Sequence, residues 1–378
     1  MYNSYGQNNN DNGGNGFNNP QNGNNSYSNG YYPPQNNNPY NPQQGFYGYN
    51  GQYNNNSYNA EIYFRKQREK KDLRKLSLLA GGAFLCYILI QNVAVLILEV
   101  AGVMDVYRDN PVVSTAMDAL FSVVSILLPF LFFGKSMKKV SGNENCYNFS
   151  KPYSLADSAL AVVAGVGICM LANVITSFFT VFMGAFGMKL TSPDISMPTG
   201  VTGVIANIIR TVLVAAFVEE ICLRGTVMGN LRQYGDKFAI GAAAVVFGIM
   251  HGNLIQAPFA LIAGCVMGYL SIKCGSLWVA VIIHAINNSL SVLISYLIDI
   301  VPEKTAMLMQ VLIIYGLAAV GVFCLVAFNR RNRNRHLMEN RTMLSTGEMT
   351  LSYITTPTMI ISLLIMVYIT SNFVEFGG

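Results

Sequence analysis

The sequence predicts an all-α protein, a polytopic transmembrane bundle of about eight to nine helices behind a disordered Asn/Gly/Tyr-rich N-terminal tail. Three observations predict it. Of 378 residues, 52% are hydrophobic and only 11% are charged, whereas soluble domains carry about 25% charged residues. The apolar residues fall into long runs, most of them roughly 18 to 25 residues, enough to cross a hydrocarbon layer of about 30 Å as a helix. Those runs lack period-two alternation, which argues against a membrane barrel.

Residues 1–60 are mostly Asn, Gly, Gln, Tyr and Pro, with Asp11 the only charged residue before Glu61. Such a segment has too little aliphatic surface to offset its ordering entropy, so disorder is expected there. It does not open with the basic and apolar stretches of a signal peptide. Residues 61–75 form a basic juxtamembrane segment, with Arg65, Lys66, Arg68, Lys70, Lys71, Arg74 and Lys75 abutting the first apolar run. By the positive-inside rule this places the N-terminus in the cytoplasm.

Spans are expected at Leu76–Val100, Val112–Gly134 and Leu155–Met183, which make an N-terminal group over residues 76–200. Four more, Val201–Leu223, Phe238–His251, Leu254–Ile272 and Leu277–Ile298, fill residues 201–300, the region that holds the chemistry. Residues 301–378 supply the last two, Ala306–Phe328 and Leu351–Val374. Alternating sides puts Lys135, Lys138, Lys139, Arg232, Lys237, Lys273 and the cluster Arg330, Arg331, Arg333 and Arg335 on the cytoplasmic face. The net charge of +5 is therefore a topology signal, and no nucleic-acid partner is expected.

The seven cysteines have neither metal-type nor disulfide-type spacing, and Cys86, Cys169, Cys222, Cys265 and Cys324 sit inside apolar runs as small hydrophobes. Gly264 and Gly268 form a small-xxx-small pair of the helix-packing kind. Asp118 and Asp157 lie near span ends and read as interfacial. Asn207 and Arg210 precede the glutamates on the same helix, where Arg210 reads as a pairing or snorkelling residue.

Ionisable groups at membrane depth cost at least about 2.5 to 3.5 kcal/mol each on insertion scales, so they pair, face a cavity or do chemistry. Glu219 and Glu220 are adjacent within an apolar run. On a helix Glu220 and Arg224 are four apart, an acid-before-base arrangement that favours an ion pair, while Glu219 points about 100° away and stays free to handle protons. A structural ion pair alone would also explain these residues. Only three histidines exist, and two of them, His251 and His284, lie in apolar runs. Phe247 and His251 are one helical turn apart, as are His284 and Asn288.

The segments Glu219-Glu220-Ile221-Cys222-Leu223-Arg224, Phe247-Gly248-Ile249-Met250-His251 and His284-Ala285-Ile286-Asn287-Asn288 resemble the EExxxR, FxxxH and HxxxN motifs of the CPBP family of intramembrane endopeptidases, also called the Abi family, which includes the CAAX prenyl protease. All three occur in order, and the resemblance covers residues 201–300. It implies that Glu219 and His251 hold and activate a water, that His284 and Asn288 stabilise the oxyanion, and that Glu220 and Arg224 fix the Glu219 helix. The chemistry is consistent, since peptide hydrolysis needs a base for the water proton and donors aimed at the developing charge.

The implied protein is an integral membrane endopeptidase, placed in a bacterial cell membrane, cleaving a membrane-associated or prenylated-type peptide or protein substrate. Its oligomeric state is open. No cofactor is required on the glutamate mechanism, while zinc held by Glu219, His251 and His284 is the alternative, with metalloprotease the expected family label. The HExxH helix of zinc peptidases is absent from the sequence. A proton-coupled membrane transporter and a non-catalytic immunity or binding protein on the same scaffold also stay open. One geometric demand is explicit: Glu219 sits near the inner end of its run and His251 near the outer end of its own. The site assembles only if the fourth helix tilts or continues past Arg224 towards Tyr234.

Overall fold

The computed structural model describes residues 55–193 and 198–377, and these form a helix bundle with one small two-stranded sheet. The tail expected over residues 1–60 lies outside the described residues as far as residue 54, and residues 55–60 open the first helix. In chain order the helices are α1 (Asn55–Val100), the short α2 (Met104–Asp109), α3 (Pro111–Ser141), α4 (Leu155–Ala185), α5 (Gly200–Tyr234), α6 (Asp236–Met250), α7 (Ala257–Cys274), α8 (Leu277–Ile300), α9 (Glu303–Arg331), α10 (Thr346–Ile354) and α11 (Pro357–Ser371). The strands are β1 (Met188–Leu190) and β2 (Val374–Phe376), antiparallel with Lys189 opposite Glu375.

Local chemistry sets the ends. Asn110 accepts from the amides of Val112 and Val113 ahead of Pro111, Ser154 and Ser276 cap α4 and α8, and Ser345 forms a capping box with Glu348. Each satisfies amides that the first turn leaves open. Gly142 and Gly275 stop α3 and α7 in the left-handed conformation, which costs a residue without a Cβ little.

Seven of the helices are long and apolar enough to cross a membrane, and the α10–α11 pair makes up to eight. The chain is an integral membrane protein of the expected class. Two of the nine apolar runs behave differently from simple spans. Helix α6 has 15 residues, about 22 Å of rise, short of a hydrocarbon layer of about 30 Å. The last run is not one helix, because α10 and α11 meet at a bend of 74°. Pro357 causes it: the ring denies an amide to the preceding turn and drives Thr356 to an extended conformation at ψ 146°.

Close approaches hold the bundle together. Helices α4 and α9 touch at Gly167 and Gly321, where a Cβ on Gly167 would lie 2.3 Å from the Gly321 Cα. In lipid there is little hydrophobic drive between helices, so such small-residue contacts and the dispersion they permit do the packing. Gly264 sets α7 against Ala244 of α6 in the same way, and Gly268 meets Met228 and Ile240.

One end of the bundle collects the basic residues. Asp157 pairs with Arg331 at 3.0 Å and Arg335 at 3.5 Å, Lys273 donates to the Asn332 carbonyl, and Arg232 pairs with Asp236 at 2.7 Å. The loop at residues 142–154 bonds this end through Asn148 to Leu277 and Tyr153 to Cys274. The sheet lies at the opposite end, where α4 and α11 finish.

Candidate active site

Helix α5 carries two wide, π-helical stretches, Ile209–Val214 and Ile221–Met228, on either side of the glutamates. A π turn absorbs one extra residue and leaves carbonyls free of their usual partner, a feature common at functional sites. The first stretch shows the consequence. The amide of Ala215 bonds the Arg210 carbonyl five residues back, and the Thr211 carbonyl accepts instead from Asn288 Nδ2 at 2.8 Å. The helix thereby binds α8 at the level of the HxxxN motif.

The demand on the fourth helix is met by its length, since α5 runs on to Tyr234. Gly235, at φ 100°, turns the chain into α6. Glu219 precedes Gly235 by 16 positions and His251 follows it by 16, so each lies about 24 Å from the turn. Equal arms of one helical hairpin bring the two side chains to the same depth, and both line one cavity.

Glu220 and Arg224 are fully buried and bonded at 2.9 Å. The same Glu220 Oε1 lies 2.9 Å from His284 Nδ1, while His284 Nε2 lies 3.8 Å from Glu219 Oε2. His284 thus stands between the two carboxylates. A carboxylate accepts, so His284 donates from Nδ1 and turns Nε2 towards Glu219. Phe247 packs beneath this group, with the Arg224 guanidinium 4.7 Å above its ring and the imidazoles of His251 and His284 at its edge.

His251 is fixed by the spacing of its own motif. Its Nδ1 lies 2.8 Å from the carbonyl of Phe247, four residues back. A carbonyl can only accept, so Nδ1 carries the proton and Nε2 keeps a lone pair. Glu219, which is 20% exposed, His251 and Asn288 face a cavity of about 740 Å³ that extends from them along α4, α5, α8 and α9 towards the sheet end. Glu220, Arg224 and His284 sit behind that wall.

Residues that single-motif reasoning passes over also line it. Asn173, Thr176 and Thr180 on α4, and Ser291 and Ser295 on α8 in line with the motif residue Asn288, all face the cavity. Their three- and four-residue spacing marks a polar stripe on an otherwise apolar helix, and that stripe was the available signal. Asn287 also reaches the wall, with no such periodic cue. Arg210 lines it too.

Glu219, His251 and His284 are the ligands that the zinc alternative would use. Among the described residues no three His, Cys, Asp or Glu side chains are arranged to hold a metal ion. His284 meets a carboxylate at each nitrogen, and His251 has one nitrogen on a backbone carbonyl. Each imidazole is hydrogen-bonded through Nδ1, and Nε2 of His284 lies 3.8 Å from Glu219.

Residues 201–290 match the family model described as Type II CAAX prenyl endopeptidase Rce1-like. The matched segment contains all three motifs, so the resemblance read from them is shown over that stretch, and the description names an endopeptidase rather than a metalloprotease. No curated protein and no solved structure matches the chain.

Proposed function

We propose, on the premise that residues 201–290 are an Rce1-like endopeptidase segment, that the chain hydrolyses a peptide bond within the membrane by a glutamate-activated water. The observation that carries this reading is the placement of Glu219 and His251 on one cavity wall, with Glu219 backed by the buried His284–Glu220–Arg224 chain. A water between the Glu219 carboxylate and the lone pair of His251 Nε2 gives up a proton to Glu219 as its oxygen bonds the scissile carbonyl carbon. Asn288 keeps a second amide hydrogen beyond the one on Thr211, and that donor supports the tetrahedral oxyanion. Collapse breaks the C–N bond, and the proton on Glu219 passes to the leaving amine.

Glu220 and Arg224 act through His284. The ion pair fixes Nδ1, and so fixes which face of the imidazole meets Glu219. No step calls for a metal ion.

The substrate is a peptide that reaches the site through the bilayer. Polar side chains of α4 and α8 line the cavity beside Met170, Ile255, Phe259, Ile294 and Ile314, a surface suited to an amide backbone on one side and an apolar or lipid-modified side chain on the other. Taking the basic end as cytoplasmic, the cavity faces the outer half of the membrane, and the substrate is a segment lodged there.

Glu219→Gln is the test. Purified variant protein should fold as the wild type does and lose turnover, and membranes of cells expressing it should accumulate uncleaved precursors in a peptidomic comparison. Identical peptide pools from the two membranes would count against the assignment.

A further inference from the structure

Asn287 stands one position before the proposed oxyanion donor, and the chemistry above does not use it. Its side chain is only 8% exposed and lines the cavity together with Asn288. One backbone group orients both amides. The Thr211 carbonyl can only accept, so the atom of Asn288 that faces it at 2.8 Å is Nδ2. Oδ1 of Asn288 then takes the other side of its amide, where it accepts from Nδ2 of Asn287 at 3.3 Å. That bond in turn settles which end of the Asn287 amide is left over. It is Oδ1, a buried atom that no donor meets among the described residues. Buried acceptors without a donor are rare in folded chains. This one ends a fixed chain of amides at a cavity wall, so its donor must come from whatever occupies the cavity.

We propose that Asn287 Oδ1 accepts the backbone N–H of the substrate residue whose carbonyl is attacked, so that the enzyme requires an unsubstituted amide at that residue and rejects proline there; this rests on the peptidase reading. In an extended strand the N–H and C=O of one residue point to the same side, which is why facing residues of an antiparallel pair exchange both bonds. Asn288 Nδ2 offers a donor to the carbonyl oxygen, and Asn287 Oδ1 offers an acceptor to the N–H of the same residue. The two linked amides thus present to the substrate what one residue of a neighbouring strand would present. A peptide N–H is favoured over other donors because Asn287 is bonded directly to the side chain that receives the scissile carbonyl, which fixes the substrate backbone at this point. Proline has no N–H to give and would leave Oδ1 buried and unpaired.

The test gives full-length protein in liposomes a random peptide library and reads the cleaved bonds by mass spectrometry. One cleaved sequence is then resynthesised with an ester oxygen in place of the N–H of the residue before the cut, and, as a control, with the same replacement one residue further upstream, where the N–H points the other way. The proposal expects no proline immediately before the cut and a kcat/KM about 10-fold to 100-fold lower for the first ester, with the control ester close to the parent peptide. Asn287→Leu should bring the ratio of parent to first ester to about one, whatever it does to the overall rate, which loss of a merely structural contact would not do. Equal turnover of parent and first ester by the wild type, or an unchanged ratio in Asn287→Leu, would overturn the role of Asn287 while leaving the peptidase standing. Cleavage of no library member by the wild type would overturn both. The parent-to-ester comparison is made on wild-type protein, so it holds whether or not the variant folds.

Discussion

Glu220 and Arg224 form an ion pair at 2.9 Å with both side chains excluded from solvent. Removing one partner of such a pair leaves an uncompensated buried charge and costs about 3–5 kcal/mol. Arg224→Ala should therefore lower the thermal midpoint in detergent sharply, and also lose the packing on Phe247. Glu220→Gln keeps a hydrogen-bond acceptor for Arg224 and His284, and should unfold at a temperature between the two. A wild-type midpoint for Arg224→Ala would mean that the pair does not hold α5.

Positions in the chain made some of this legible and hid the rest. The i, i+4 spacing of Glu220 with Arg224 and of Phe247 with His251 maps directly onto bonds, 2.9 Å between the first pair and 2.8 Å from the His251 ring to the Phe247 carbonyl. Helical periodicity fixes such neighbours from sequence alone. By contrast, the position of His284 between Glu219 and Glu220 depends on packing between α5 and α8, to which no local pattern speaks. The bend before Pro357 was signalled by the proline, although hydropathy averages across it. The π-helical stretches of α5 left no cue in apolar periodicity, yet the first of them frees the Thr211 carbonyl for Asn288.

Gly167 and Gly321 predict an asymmetry between glycines on apolar helices. A Cβ at Gly167 would meet the Gly321 backbone at 2.3 Å, well inside van der Waals contact, whereas one at Gly316 meets nothing within 4 Å. Gly167→Val should separate α4 from α9 and prevent recovery of folded protein in mild detergent. Gly316→Ala on the exposed side of α9 should be neutral or stabilise by up to about 1 kcal/mol through helix propensity. Equal yields and midpoints for the two variants would refute the close α4–α9 contact.

The direction of the cavity can be read by labelling. Thr180 lines it near the sheet end, and Asn145 is exposed in the loop at the basic end. With the N-terminus cytoplasmic, a membrane-impermeant maleimide added to intact cells should modify Thr180→Cys, and Asn145→Cys only after permeabilisation. Unmutated protein, whose seven cysteines are buried or half-buried, sets the background. The reverse pattern would invert the topology and present the cavity to the cytoplasm.

Cys146 gives a prediction in pH. It sits in the loop at residues 142–154, outside the spans, with its thiol on the Asn143 carbonyl at 2.8 Å and Asn230 Oδ1 at 3.3 Å. Burial pushes its pKa from 9.0 up to about 11, against the smaller opposite pull of Lys138. Thiolate is the reactive form, so at pH 8 the folded protein should alkylate at Cys146 far more slowly than denatured protein, and the rate should keep rising until about pH 11. The sign for stability follows by linkage: below pH 9 the thiol is neutral in both states and its contribution is intact. Between about 9 and 11 only the unfolded thiol ionises, and the fold loses stability as pH rises. Mass spectrometry of the Cys146 peptide after timed iodoacetamide pulses reads this directly, and equal rates in folded and denatured protein at pH 8 would show the thiol open to solvent.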